Sequence, residues 1–563
     1  MNIQRIIETD VLIAGSGLAG IKSAKELAEE GHKVLLVTKT KVASGSSFFP
    51  LKASLGTQVT KDRADEQVFL GDIEQLSRGM HRRDLAEMYV REIPDRVKEY
   101  PEIGVDAKKL HGERKACFAP NARDIYLLSD WDKIRGNVRG IFSEFDNLRV
   151  MERTIVLTVL EDSGRVAGVV LLDPDNELVL VRCKAAILAT GGFGSIYKHN
   201  LNPNDVDGSG HILALEAGAE LVNMEFIQFI PGITSPKYKT LFGEHTLTYC
   251  QDIIGPDGKS LLDPELPMDL TKRECLDIRS THGPFTHSLP SKHFDIAMMR
   301  RIIETGNEDG FRLQYDPAIY ENEEEFYTVY LDWLKERGID LAKDEIRIAP
   351  FAHASNGGVF IDTKGRTGVD GLYVIGELSC NIEGANRLGG NSTGACMVFG
   401  KRAADDCGRY VRQADPGRTD EEAAETRLSD MFGSAVLFTD EQAETAAEHA
   451  RHAVERIREV LWYNANVVRS EERLAAAREE IRLLGKTVDT GVLFSRPELR
   501  KLAVRARNFL KLSDVLLLAM SERRESRGAH YREDFPEENP AFGRRLFVSL
   551  DEDGQPVAEF RAQ

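Results

Sequence analysis

The sequence predicts an α/β chain of several domains, and three observations carry that prediction. The apolar run "TDVLIA" at residues 9–14 leads through a glycine turn into an amphipathic stretch and a second apolar run, "KVLLVT". Apolar runs ending in glycines recur at "AAILATGGFG" and at "GGVFIDTKGRTGVDGLYVIGE", separated by a more polar, proline-broken stretch. From about 418 to 485 the chain is helical text with alternating charges. Strand, turn, helix and strand in succession describe a parallel sheet with crossover helices. The economical architecture is a Rossmann-like domain interrupted by an inserted α+β domain and followed by a helical domain.

The elements follow in order. Gly15, Gly17 and Gly20 lie between strand and helix in G-x-G-x-x-G spacing. In that setting Gly15 permits the tight turn, Gly17 lets backbone amides approach a pyrophosphate, and Gly20 lets the helix close on the sheet. A dinucleotide is therefore expected at this turn. The second run ends in Thr38-Lys39, where an acidic ribose ligand is usual, which argues against a simple NAD site. The Ser- and Gly-rich "VASGSSFFPLKASLG" suits a loop lying along an extended cofactor. Residues 154–189 read as a β-meander that ends at Thr190-Gly191, a second place for backbone to meet a ligand. We divide the chain into residues 1–235 and 346–410 (nucleotide domain), 236–345 (insertion), 411–515 (helices) and 516–563 (C-terminal extension).

One stretch stands out for chemistry. "EGANRLGGNSTG", residues 383–394, sets an Asn-Arg pair among glycines directly after a strand. The bare backbone at Gly384, Gly389, Gly390 and Gly394 suggests that something other than protein packs against this loop.

Composition excludes other classes. The formal charge of −18 argues against nucleic-acid or anionic-membrane partners, which want a basic face. No apolar run reaches the roughly 18 residues of a membrane span, and the N-terminus lacks signal-peptide character. No membrane insertion and a cytoplasmic location are expected. The seven cysteines form no C-x-x-C pair, so neither zinc nor iron–sulfur ligation is legible in them.

Together, "DVLIAGSGLAG", "ILATGGFG", "AHASNGGVFID", "GLYVIGELSCNIEGANRLGGNS" and "ESRGAHYREDFP" resemble the flavoprotein family of fumarate reductase, succinate dehydrogenase and L-aspartate oxidase. The resemblance covers nearly the whole chain in the family's order. It implies an FAD-binding domain, with the inserted domain as a cap over the substrate. In that family the Arg of the glycine loop grips a substrate carboxylate, which Arg387 matches here. A guanidinium offers a carboxylate two parallel charge-assisted hydrogen bonds and fixes its plane. His353 matches the second carboxylate ligand, and Glu244 falls opposite the acid of the capping loop.

Carried over to FAD, the resemblance assigns Gly15, Ser16, Gly17, Leu18, Ala19 and Gly20 to the pyrophosphate turn and Lys39 to the end of the second strand. Ser46, Ser47 and Lys52 lie along the cofactor. Thr190, Gly191 and Glu377 join them, and Ser392 and Thr393 meet the flavin end. Ser209 stands where the family usually has Asp, with Asp207 two residues earlier.

Three departures shape the expectation. Ser47 replaces the His that carries a covalent flavin bond in membrane-complex members, so FAD is expected to be non-covalent. In the family that bond accompanies succinate oxidation. Ile230 in "QFIPG" replaces a carboxylate-binding His. The proton-donating Arg of the cap is replaced by Lys292, His293 or Phe294, depending on a gap, and Lys292 is the choice made here because a desolvated lysine can donate a proton.

The resemblance thus implies an FAD-dependent oxidoreductase that moves a hydride between flavin and a small carboxylate, reducing a 2-enoate with altered specificity. An L-aspartate oxidase-like amino-acid oxidase is the rival enzyme. An electron-transfer flavoprotein subunit of a complex is the rival of another class, and an electron-donor or iron–sulfur partner protein fits either.

Overall fold

The computed structural model describes residues 2–49, 54–380, 382–434 and 438–562. Its centre is a five-stranded parallel sheet in the order Leu372–Val374, Ala185–Leu188, Val11–Ala14, Val34–Val37 and Leu148–Met151. Every residue of Val11–Ala14, Val34–Val37 and Ala185–Leu188 is buried, as a sheet covered on both faces requires. The helix Leu18–Glu29 supplies the crossover and packs on the long helix Asn391–Gln413, which lies against the same sheet.

The meander expected at 154–189 is present. Ile155–Asp162, Arg165–Leu172 and Leu178–Arg182 pair antiparallel, joined at the edge by Arg5–Glu8, before the chain enters the parallel sheet at Ala185.

Residues 236–345 carry the polar, proline-broken stretch of the sequence. Their strands, Thr240–Leu241, Cys250–Ile254 and Phe311–Tyr315, share one sheet with Ile227–Ser235 and Arg347–Ser355. Those two flanking strands lead out of and back into the nucleotide-binding part, so the insertion is tied to it by continuous backbone pairing. The helix Lys272–Ser280 opens with a capping box, in which Thr271 accepts from the Glu274 amide and Glu274 accepts from the Thr271 amide.

Past residue 413 the chain is helical, with Glu421–Phe432, Asp440–Asn464, Glu471–Gly485 and Arg500–Glu522 as its main rods. The last residues fold back. The hairpin Arg545–Leu550 with Pro556–Arg561 pairs with Leu221–Val222 of the first half of the chain. Behind it a fully buried charge network joins Arg523 to Glu225 and Glu525, while Arg469 donates to His530. Buried charges persist only when paired in this way.

Candidate active site

One cavity opens at the carboxyl ends of the parallel strands, where ligands of such sheets bind. Gly15, Ser16, Gly17, Leu18 and Ala19 form one wall. Gly15 has φ +111°, and a Cβ there would sit 2.3 Å from the Ala189 carbonyl oxygen. A Cβ on Gly20 would come within 2.0 Å of the Gly15 carbonyl, so both positions demand glycine for packing. Gly20 itself lies behind the wall.

The other expected cofactor residues converge on this cavity. Lys39 reaches across to Asp207 at 2.7 Å and to Ser209 Oγ at 3.4 Å. Burial alone would raise the Asp207 carboxyl, but the Lys39 ammonium holds it below the usual range. Ser209 itself lines the cavity, and Asp207 stands behind it as the partner of Lys39. Ser46 donates to Asn202 at 3.0 Å, and Ser47 Oγ accepts from the Leu18 amide at 3.3 Å. Glu377 accepts from the Ser355 amide and hydroxyl at 3.0 and 3.3 Å. Thr190 and Gly191 line the wall, and Thr190 Oγ1 is buried without a partner among the described residues. Lys52 lies outside the described residues.

Two helix N-termini, those of Leu18–Glu29 and Asn391–Gln413, contribute to the same cavity. Their unsatisfied amides and positive poles suit an anionic diphosphate at one and an electron-rich group at the other. Thr393, in the first turn of the second helix, donates to the Gly56 carbonyl at 2.7 Å and holds that helix against the strand Leu55–Val59.

Arg387 and His353 line this cavity as well. Behind Arg387 stands a buried scaffold that sequence patterns did not expose. Gln228, fully buried in Ile227–Ser235, accepts from Arg387 Nε at 3.1 Å and donates to Asn386 Oδ1 at 2.6 Å. Asn386 Oδ1 also accepts from the Arg387 amide at 2.9 Å, and Asn386 Nδ2 donates to the Phe285 carbonyl at 3.2 Å. Arg387 Nη1 donates to Ser392 Oγ. Nη2 has no protein partner among the described residues, which leaves one edge of the fork for a ligand. A lone Gln inside the apolar run "EFIQFIPGI" was the available sequence signal for Gln228.

The loop lines the cavity through Arg387, Gly390, Ser392 and Thr393, but three of its four glycines are bare for the sake of neighbouring chain. A Cβ on Gly384 would meet His81 N and Ser77 Cβ at 2.7 Å, one on Gly389 would meet Cys117 at 2.9 Å, and one on Gly394 would meet Tyr89 and Ile93 at 2.8 Å. Only Gly390 faces the cavity. These glycines let neighbouring chain approach the loop closely, which a sequence cannot distinguish from ligand approach.

Other expected residues lie off the cavity. Lys292 is the half-buried first residue of Lys292–Thr305 and does not line it; its charge instead lowers His287 and His293, secondary to their burial. Ile230 is buried opposite Phe351 in the sheet and is likewise not in the wall. Glu244 begins the short helix Glu244–Tyr249 and approaches Gly283, where a Cβ would sit 3.2 Å from its carboxylate. Burial pushes the Glu244 carboxyl up, against a pull from Arg279, which is itself committed to Asp295 at 2.8 Å. The Cys117 thiol connects the two regions. It accepts from the Gly283 amide at 3.0 Å, and the Cys117 carbonyl accepts from the Gly389 amide at 2.9 Å. Burial first, and then Glu244, pushes that thiol up to about 12. Among the described residues no group of His, Cys, Asp or Glu could hold a metal ion, and no helix is long and apolar enough to cross a membrane.

A Rossmann-like sheet with a glycine turn and two helix N-termini, and an Arg and a His lining the same cavity, are the features of a nucleotide-cofactor oxidoreductase. Residues 10–393 match the profile of the FAD binding domain, and residues 454–559 match that of the fumarate reductase flavoprotein C-terminus. The chain therefore belongs to the FAD-dependent oxidoreductases of the fumarate reductase, succinate dehydrogenase and L-aspartate oxidase flavoprotein family. It is 28% identical to the L-aspartate oxidase of Yersinia pestis over 94% of this chain and 97% of that one. It is 27% identical to a subunit of the fumarate reductase (CoM/CoB) of Methanothermobacter marburgensis, covering 97% of each. Its fold matches Mycobacterium smegmatis Sdh1 with a TM-score of 0.81 at 24% identity, over 99% of this chain and 95% of that one. FAD fits the site: the orphaned Thr190 hydroxyl, the glycine wall and the paired helix N-termini are donors suited to its diphosphate and ring.

Proposed function

We propose that this protein reduces a small 2-enoate carboxylate, with Arg387 and His353 binding the carboxylate. Bound FAD supplies the two-electron exchange with a substrate carbon. The observation that carries the reading is the set of Arg387, a residue of the cavity lining: Nε and Nη1 are held by Gln228 and Ser392, and Nη2 has no protein partner among the described residues. A fork held at two nitrogens keeps its orientation as charge builds on the substrate carboxylate during reduction, which lowers reorganisation cost. His353 adds a second polar group to the same wall.

The Glu244 carboxyl, pushed up by burial, lies beside Gly283, whose amide donates to the Cys117 thiol, and it is set apart from the cavity that Arg387 lines. Asp205, which accepts from Thr40 at 2.9 Å, and the Lys39–Asp207 pair would seat the cofactor's polar end. Ser16, Ser46, Ser47, Ser209, Glu377 and Thr393 complete that part of the assignment.

The similarity to L-aspartate oxidases favours a second reading, oxidation of an amino acid to its imine by the same carboxylate grip. One anaerobic experiment separates them. The photoreduced enzyme is mixed with mono- and dicarboxylic enoates, and the oxidised enzyme with L-amino acids, while the flavin spectrum is followed. Reoxidation by an enoate is expected; bleaching by an amino acid without any enoate turnover would replace the first reading by the second. If no small molecule exchanges electrons, the chain passes them to a partner protein instead.

A further inference from the structure

We propose that Glu383 sets the charge behind Arg387, so that an anionic substrate binds with uptake of one proton by this carboxyl group. This rests on the reading of Arg387 as the carboxylate anchor. Arg387 Nη1 donates to Ser392 Oγ, and Ser392 Oγ in turn lies 3.5 Å from Glu383 Oε1. A hydroxyl thus couples the guanidinium to a carboxyl group that is only 8% exposed. Glu383 is therefore a positioning residue that acts through Ser392 and Arg387.

The groups around Glu383 come from several elements. Arg387 is the cation of its own loop, and Glu377 is a second carboxyl group, from the segment after Leu372–Val374. Tyr89 lies on Arg83–Arg96 and Cys396 on Asn391–Gln413; burial, the first cause in each case, pushes both up, so neither is charged at neutral pH. Arg123 acts on Tyr89, and His353 lines the same cavity. An ionised Glu383, coupled to Arg387 through Ser392, would offset the guanidinium charge and leave less of its attraction for a ligand carboxylate. Burial pushes Glu383 up to about 7, ahead of the opposing pull of Arg387. A neutral Glu383 leaves the Arg387 charge to the ligand, and a bound anion favours that neutral form.

The test uses the oxidised holoenzyme, with fumarate and crotonate titrated between pH 6 and pH 9 and binding read from the flavin absorbance and by calorimetry. Wild-type affinity is expected to fall as pH passes about 7, approaching tenfold per pH unit between the titration points of the free and bound states. E383Q should keep its pH 6 affinity at high pH. The inference is read in the ratio of the two proteins across the pH range, in which effects common to both cancel. Equal slopes in the two proteins would overturn it. Failure of the Arg387 reading looks different: neither carboxylate binds, or Arg387→Lys binds as wild type does. A ligand-free infrared measurement then still decides the coupling. A protonated-carboxyl band should be lost between pH 6 and pH 8 in wild type and be missing from E383Q. It should persist to higher pH in Arg387→Gln, and a band that does not move there refutes the inference.

Discussion

Gln228 Oε1 accepts from Arg387 Nε at 3.1 Å while Gln228 Nε2 donates to Asn386 Oδ1 at 2.6 Å, so one buried amide orients both members of the Asn-Arg pair. Replacing it by Met keeps the volume and removes both bonds. A buried hydrogen bond to a charged group is worth roughly 1.5–3 kcal/mol. Gln228→Met should therefore lower kcat/KM for the carboxylate substrate by about tenfold or more while leaving the FAD content near wild type. Steady-state kinetics beside the flavin-to-protein absorbance ratio checks this, and an unchanged kcat/KM would remove Gln228 from the positioning scheme.

Arg387→Lys keeps the positive charge and loses the fork. Lysine cannot hold Gln228 and Ser392 and still present a planar edge to a carboxylate. Turnover should drop by at least about a hundredfold, with FAD retained, because the loss is greatest where charge develops in the transition state. Wild-type kinetics in this variant would make Arg387 a structural residue.

Ser47 has only a hydroxyl, and the Leu18 amide already donates to it at 3.3 Å. No imidazole nitrogen is offered there for a covalent bond to flavin. Acid precipitation should leave the yellow colour in the supernatant, as FAD by chromatography. Flavin fluorescence that stays with the denatured polypeptide on a gel contradicts this.

The stability of the holoenzyme should depend on the ionisation of Glu383. Burial raises its folded-state pKa from 4.5 to about 7. For a group raised on folding, the associated stability is fully present below pH 4.5 and is lost as pH rises through about 7. Glu383→Gln, which never ionises, should gain on wild type across that window and then stay ahead by a constant amount, on the order of 3 kcal/mol at most. Tm measured for both proteins from pH 5 to pH 8.5 checks the sign; a gap that narrows with rising pH would show that Glu383 ionises easily in the fold.

The parallel sheet, the glycine turn and the helical C-terminal part were legible in the residues alone, because each is written in local periodicity. Apolar runs, G-x-G-x-x-G spacing and helical charge patterns need no knowledge of the rest of the chain. Arg387 and His353 were singled out by the family resemblance, and both line the cavity. What surrounds them was not legible. Gln228 lies 159 positions from Arg387, and Cys117 lies 166 from Gly283; no local pattern encodes contacts at such separations. The loop glycines show the limit most clearly. Missing side chains at Gly384, Gly389 and Gly394 read the same whether a ligand or Ser77, Cys117 and Tyr89 fill the space, and only the folded chain shows that protein does. The ionisation of Glu383 is tertiary in the same sense. A carboxyl group has one intrinsic pKa, and its value in the protein is set by how much water folding removes and which charges it brings near.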